Sequence, residues 1–304
     1  MKVRHLIVSL RPKQWTKNLV IFAGIIFSKN LFNLAMLSKT TIAFFLFSLL
    51  AGAVYLINDV KDKNRDKAHP TKSKRPIAAG KISPKVAVIT AIFLSAFSLL
   101  FSFILEPAFG FISAIYFLMM ISYSFRLKDV FILDVIIISL GFVLRAVAGA
   151  VVIKVPFSSW LLICTTFLAL FLALAKRRHE LLFLSENAPY HREHLTLYSP
   201  SLLDQMIGIA ATSSIISYAV YTTSTETVIK FGPYLPLTIP FVLYGILRYL
   251  YLVYKKGLGG NPSQIFISDK PLLIAIALWA GAVTIIIYLS KIEGIIHQLF
   301  YKGV

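Results

Sequence analysis

A single cysteine, Cys164, occurs among 304 residues. That excludes an internal disulfide and any cysteine-based metal cluster. Acidic residues are scarce as well: 13 Asp and Glu stand against 31 Lys and Arg. The chain has no low-complexity segment, no long linker and no convincing internal repeat. Its apolar stretches are continuous rather than alternating, which excludes a transmembrane β-barrel. The N-terminus, Met1–Trp15, is basic and broken by Pro12, and no short apolar core with a small-residue cleavage site follows it. A removable signal peptide is therefore not expected.

What is present in excess is apolar surface: 58% of the residues are hydrophobic, and the mean hydropathy is +0.78. Nine apolar segments can be marked, at roughly Asn18–Met36, Thr40–Asn58, Val86–Leu105, Ala108–Tyr123, Phe131–Ile153, Ser158–Ala175, Leu202–Thr223, Leu235–Tyr254 and Pro271–Leu289. Most approach the ~20 residues that a helical span needs. The first is the weakest, because Ser28, Lys29 and Asn30 interrupt it. The expected fold is an all-α polytopic membrane protein, a bundle of about nine transmembrane helices in one domain, residues 1–304.

Nine spans put the termini on opposite sides. On that basis 24 of the Lys and Arg residues fall on the side of the N-terminus and 6 on the other, with Arg145 inside a span. The positive-inside rule then places the N-terminus in the cytoplasm and the C-terminus outside. The net charge of +18 is thus a property of one face. Anionic lipid headgroups and a polyanionic substrate account for it better than nucleic acid does, since the basic residues are divided among short loops. Ten of the thirteen acidic residues share that face, and chemistry is expected there.

The most informative run is Asn58-Asp59-Val60-Lys61-Asp62-Lys63-Asn64-Arg65-Asp66, which ends the second apolar segment. On a helix Asp59, Asp62 and Asp66 are spaced i, i+3, i+7 and share one face. Three like charges there need a counter-charge. Carboxylates together with substrate phosphate oxygens suit Mg²⁺. The following loop, Lys67–Pro84, carries Lys72, Lys74 and Arg75, which suit phosphate oxygens, Arg through a bidentate fork and Lys as a point charge.

Arg145 lies about halfway along the fifth segment, where a charge is costly and is functional by default. Asp134 precedes it by eleven residues on nearly the same face, with Gly141 and Gly149. A rise of about 16 Å separates the two, too far for a direct pair. Arg145 is expected to meet a partner on another helix or a phosphate in a cavity. The sixth segment ends Lys176-Arg177-Arg178-His179-Glu180, and Lys176, Arg177 and Glu180 can share one side of a turn. Near the N-terminus, Arg11-Pro12-Lys13-Gln14-Trp15-Thr16-Lys17-Asn18 sets Trp15 and Lys17 at the membrane interface, and Tyr123 and Ser124 stand at another such edge.

These residues resemble the UbiA superfamily of intramembrane transferases. The N-D-x-x-D-x-x-x-D run at Asn58–Asp66 and the basic loop through Pro76 look like its first signature. Within it the chain resembles the decaprenyl-phosphate phosphoribosyltransferase branch over almost its whole length. The likeness rests on Arg11–Asn18, Tyr123–Val135, Gly141–Gly149, Lys176–Glu180 and the Gly-Gly-Asn-Pro run followed by Asp269. The resemblance implies Mg²⁺-dependent transfer of a 5-phosphoribosyl group from phosphoribosyl diphosphate to a long polyprenyl phosphate, in a prokaryotic cytoplasmic membrane. It implies that Asp59, Asp62 and Asp66 form the Mg²⁺–diphosphate site. Lys17, Lys72, Arg75, Lys176 and Arg177 become phosphate contacts, and Asn58, Tyr123, Lys128, Asp134, Arg145 and Glu180 join the substrate-binding set.

One departure stands out. Prenyltransferases of the superfamily carry a second acidic signature after a later span, and here that place reads Lys-Arg-Arg-His-Glu. Two readings stay open beside phosphoribosyl transfer: prenyl transfer from a prenyl diphosphate to an aromatic acceptor, and transport of a lipid phosphate. The sequence also leaves open a homo-oligomer.

Overall fold

The computed structural model describes residues 2–68, 71–184, 197–260 and 262–301. Glu186, Arg192 and Glu193, counted above with the cytoplasmic charges, lie outside the described residues. The described chain is helical, in the order α1 (Lys2–Ser9), a 3-10 segment (Pro12–Phe22), α2 (Ala23–Phe27), α3 (Leu34–Lys61), α4 (Lys63–Ala68), α5 (Pro84–Leu105), α6 (Pro107–Phe125) and α7 (Leu133–Val152). It continues with α8 (Ser159–Leu184), α9 (Pro200–Thr223), α10 (Thr225–Phe231), α11 (Ile239–Lys255), α12 (Pro262–Ser268) and α13 (Lys270–Tyr301). Eight of these stretches are long and apolar enough to cross a membrane, by length and composition.

Local chemistry sets the helix starts. Asn33 accepts from the backbone N–H groups of Ala35 and Met36 and caps α3. Ser83 and Ser199 cap α5 and α9, each followed by a proline at the first helical position, where its missing N–H costs nothing. Asp269 accepts from the N–H of Leu272 at the start of α13.

The solvent is legible in the burial pattern. On α5 the polar side chains Ser95, Ser98 and Ser102 are buried, while Ile89, Ile92, Phe93 and Leu100 face outward. That is the reverse of a water-soluble helix and fits a hydrocarbon surround. With Ala87 and Ala91 the serines form a strip of small residues along which α5 approaches α3 closely.

The expected first span, Asn18–Met36, is not a single helix. It is the 3-10 segment, then α2, then a turn at residues 28–33, and α3 has already begun at Leu34. The physical reason is a backbone-to-backbone contact with α7. A Cβ on Gly149 would stand 1.9 Å from the Ile21 carbonyl oxygen, and one on Gly24 would stand 2.8 Å from the Ala150 backbone. The stretched winding also recovers length. Eleven residues at about 2.0 Å and five at about 1.5 Å rise reach about 30 Å, the thickness of a bilayer core.

Two apolar cores flank α7. One joins Ile21, Ile25, Phe47, Leu50, Phe109 and Val152. The other joins Phe171, Leu203, Ile207, Ile246, Leu252 and Leu272. The face of α7 that carries Asp134, Gly141, Arg145 and Gly149 is buried between neighbours, as its spacing implied.

Candidate active site

Two charged clusters lie at the end of the bundle where α3 stops, α7 starts and α8 stops, and a third lies about three turns further along α7. The first holds the aspartates. Asp59 lies in the last turn of α3, Asp62 caps that helix, and Asp66 belongs to α4. Backbone bonds from Asp62 N to Asn58 O (2.9 Å) and from Asp66 N to Asp62 O (2.8 Å) carry the winding across the joint.

The three carboxylates do not converge on one point. Arg75 Nη1 donates to Asp59 Oδ1 at 3.1 Å and to Asp66 Oδ2 at 2.7 Å, so one cationic nitrogen bridges two acids. Arg11, stacked 4.7 Å above the Tyr55 ring, pairs with Asp59 as well. Asp62 turns aside to Lys128, whose Nζ lies 2.5 and 2.7 Å from its two oxygens and 3.4 Å from Asn58 Oδ1. Asp59 is 1% exposed, Asp66 4% and Lys128 1%, so these charges are withdrawn from water. Buried carboxylates must be paired, and here three are matched by three cations. Among the described residues no group of three acids, histidines or cysteines stands ready-made for a metal.

The loop before α5 holds Arg75 in place. Ile77, Ala78 and Ile82 are buried against α3 and α5, and Gly80 supplies the left-handed turn (φ 72°) that folds the loop back. Lys72 sits in the short 3-10 turn Lys72–Lys74 of the same loop. Lys128 comes from the 3-10 turn Leu127–Asp129 between α6 and α7.

The second cluster centres on Arg177 of α8. Its Nη2 is 2.6 Å from Asp134 Oδ2, and its Nη1 is 2.5 Å from Glu180 Oε2. Lys176 lies 3.7 Å from Glu180, and Tyr123 stands within electrostatic reach of Arg177. Tyr198, just ahead of α9, donates to Asp134 Oδ1 at 2.7 Å and accepts from the N–H of Ile132 at 3.0 Å. Burial and the bond to Asp134 push the Tyr198 phenol above its ordinary pKa. Arg177, a phosphate contact on the sequence reading, has both Nη groups committed to carboxylates.

The third cluster is Arg145. It meets partners on other elements, the first of its two expected fates. Nε donates to Asn18 Oδ1 (2.7 Å), Nη1 to Gly141 O (2.8 Å) and Nη2 to Tyr116 Oη (2.8 Å). Asn18 in turn donates to Ser48 Oγ at 2.8 Å. Lys17, next in the chain, makes no ion pair or hydrogen bond among the described residues.

Sequence reasoning missed Arg11 as a partner of Asp59, although the Arg11–Asn18 run was in view. It also missed Tyr116 and Tyr198, which carry no charge or spacing signal. A small crevice lies at the opposite ends of α7 and α8, lined by Phe27, Phe157, Tyr221 and Phe231 among others. The titratable groups gather instead at the aspartate end, and chemistry is assigned there.

Comparison with known proteins identifies the family. The model of the UbiA prenyltransferase family matches residues 18–268. A decaprenyl-phosphate phosphoribosyltransferase of Mycolicibacterium smegmatis is 34% identical over 95% of this chain and 94% of its own. One from Corynebacterium glutamicum is also 34% identical, over 93% and 87%. A UbiA homolog from Archaeoglobus fulgidus, bound to GPP and Mg²⁺, shares the fold with a TM-score of 0.69 at 19% identity, over 93% of this chain and 99% of that one.

Proposed function

Because the chain belongs to the UbiA prenyltransferase family, and is thereby an integral membrane transferase, we propose that it transfers a 5-phosphoribosyl group from phosphoribosyl diphosphate to a polyprenyl phosphate, releasing diphosphate. One observation carries this reading. Three carboxylates at one membrane edge, two of them buried, are neutralised one for one by cations from three separate segments. The named phosphoribosyltransferases that are a third identical over nearly the whole length support it.

The donor set fits Mg²⁺ in type. It is all oxygen, from Asp59, Asp62, Asp66 and the Asn58 amide, and one positive nitrogen already bridges Asp59 and Asp66. When bound, Mg²⁺ would neutralise charge on the leaving diphosphate. The remaining work falls to the chain. Arg11, Arg75 and Lys128 are held by carboxylates and are poised to exchange one carboxylate oxygen for a diphosphate oxygen. They then stabilise the charge that develops there. An acceptor oxygen bonds to the anomeric carbon as the bond from that carbon to diphosphate breaks, and the electron pair departs with diphosphate. A phosphate monoester is largely a dianion near neutral pH, so the acceptor needs no strong base.

Prenyl transfer is the second reading, and the Arg177 cluster weighs against it. Where prenyltransferases of the superfamily carry a second acidic signature, α8 offers Glu180 as the one carboxylate of the Lys176–Glu180 run, beside Lys176, Arg177 and Arg178. Labelled phosphoribosyl diphosphate is expected to enter lipid when polyprenyl phosphate is offered, and not when the matching polyprenol is offered. Equal labelling of the alcohol rules out the acceptor. Prenyl transfer to an aromatic ring with no use of phosphoribosyl diphosphate promotes the second reading.

The reaction is placed at the cytoplasmic face, with the N-terminus inside and the C-terminus outside, on the distribution of Lys and Arg. In a Cys164→Ser background, Lys74→Cys should label with a membrane-impermeant thiol reagent only after the cells are opened, and Lys230→Cys in intact cells. The opposite pattern overturns the topology.

A further inference from the structure

The turn that leads into α7 is strained. Ile132, the residue before that helix, is β-branched yet sits at φ 66°, ψ −41°. Such a side chain is disfavoured there. The Leu133 N–H returns to the Phe131 carbonyl at 2.8 Å, which closes a three-residue turn of the rarer, strained hand. Strained backbone persists where surrounding contacts over-determine it, and it gathers at functional sites.

Tyr198 supplies those contacts, and all of them fall on this one turn. Its hydroxyl accepts from the Ile132 N–H at 3.0 Å and donates to Asp134 Oδ1 at 2.7 Å. Its ring packs on Phe131 with centroids 4.6 Å apart. Tyr198 is 4% exposed, so water does not replace it readily. Four residues before Ile132 stands Lys128, whose Nζ is held by both oxygens of Asp62. The 3-10 turn around Lys128 makes only local backbone bonds, Asp129 N to Arg126 O and Val130 N to Leu127 O. The helix on the other side, α7, is fixed between two apolar cores. Relaxation of Ile132 to an ordinary negative φ would therefore swing the preceding turn, and Lys128 with it.

We propose that Tyr198 is a positioning residue for the donor site: it holds the strained turn at Ile132 and so keeps Lys128 beside the aspartates. It acts through Lys128 and touches no substrate. The inference rests on the role given above to Lys128 as a contact of the diphosphate.

The test uses the full-length chain in detergent. Tyr198→Phe keeps the ring and deletes the hydroxyl. Arg177 still pairs with Asp134, so the variant should fold. Its catalytic efficiency with phosphoribosyl diphosphate should fall by about tenfold to a hundredfold, as expected for a lost charge-assisted contact. Its Michaelis constant for polyprenyl phosphate should stay within roughly twofold, a split that general misfolding does not produce. In a Lys128→Met background, Tyr198→Phe should add little, because the two act as one unit. Ile132→Gly added to Tyr198→Phe should restore most of the lost efficiency, since glycine adopts positive φ without a latch. Should Tyr198→Phe alone fail to fold, that double variant should still fold and turn over. A double variant as damaged as the single one, or full additivity with Lys128→Met, overturns the proposal.

Thermal protection by inorganic diphosphate with Mg²⁺ separates this inference from the reaction it rests on. Wild type that turns over phosphoribosyl diphosphate, with Tyr198→Phe unchanged in efficiency and protection, overturns the latch and leaves the reaction standing. Protection that depends on Tyr198, in a protein that does not use phosphoribosyl diphosphate, does the reverse.

Discussion

Asp59→Asn or Asp62→Asn is expected to lower turnover by roughly 10²–10³-fold or more while the protein stays folded in the membrane. Each substitution removes one negative charge with little change in shape. Asp59 is the shared partner of Arg11 and Arg75, so its loss frees two cations at once. Asp62 holds Lys128 through both oxygens. Asp66 shares only Arg75, and Asp66→Asn should be the mildest of the three. Chelation by EDTA should stop wild-type turnover and added Mg²⁺ should restore it. Initial rates of label transfer to lipid, with thermal midpoints as the folding control, provide the measurement. A double Asp59→Asn, Asp62→Asn variant with full activity would sink the metal–diphosphate assignment.

Arg177→Met should have the largest effect on stability. It strips the cation from Asp134, which is 0% exposed, and from Glu180 beside it. Removing one partner of a buried pair typically costs about 3–5 kcal/mol, because the other charge is left uncompensated. Asp134→Asn should cost less, since Tyr198 can still donate to the amide oxygen. The double variant should be less damaged than the sum of the two single ones, with a coupling of roughly 0.5–3 kcal/mol. Denaturation in detergent checks all three. An Arg177→Met midpoint within a degree of wild type would mean that water or another group already compensates Asp134.

The resident arginine also explains the departure noted in the sequence. The Lys176–Glu180 run reads as basic where an acidic signature was expected. In the fold its arginine turns inward and closes the two acids on itself, leaving Lys176 half-exposed at the edge. The run's composition was legible, but its direction depended on Asp134 of another helix.

Composition and local order determined a good deal without any fold. Continuous apolar runs far longer than a soluble core needs demand helices in lipid, because hydrocarbon cannot satisfy an open backbone. Scarce acids collected at one helix end marked the candidate site, since like charges are not concentrated there without a counter-ion. Ser-Pro starts and an Asn cap set helix beginnings through contacts only two or three residues long, a local signal that the sequence reading did not use. The first span was misjudged as one helix. Its 3-10 winding depends on Gly149, more than a hundred residues away, letting the Ile21 carbonyl approach. The pairings themselves were beyond local reading: Arg11 reaches Asp59 across 48 residues, Lys128 reaches Asp62 across 66, and Arg145 reaches Asn18 across 127. Charge type and helical spacing are properties of neighbours in the chain. Which cation neutralises which carboxylate, and which is left without one, is decided only when separate helices desolvate the groups together.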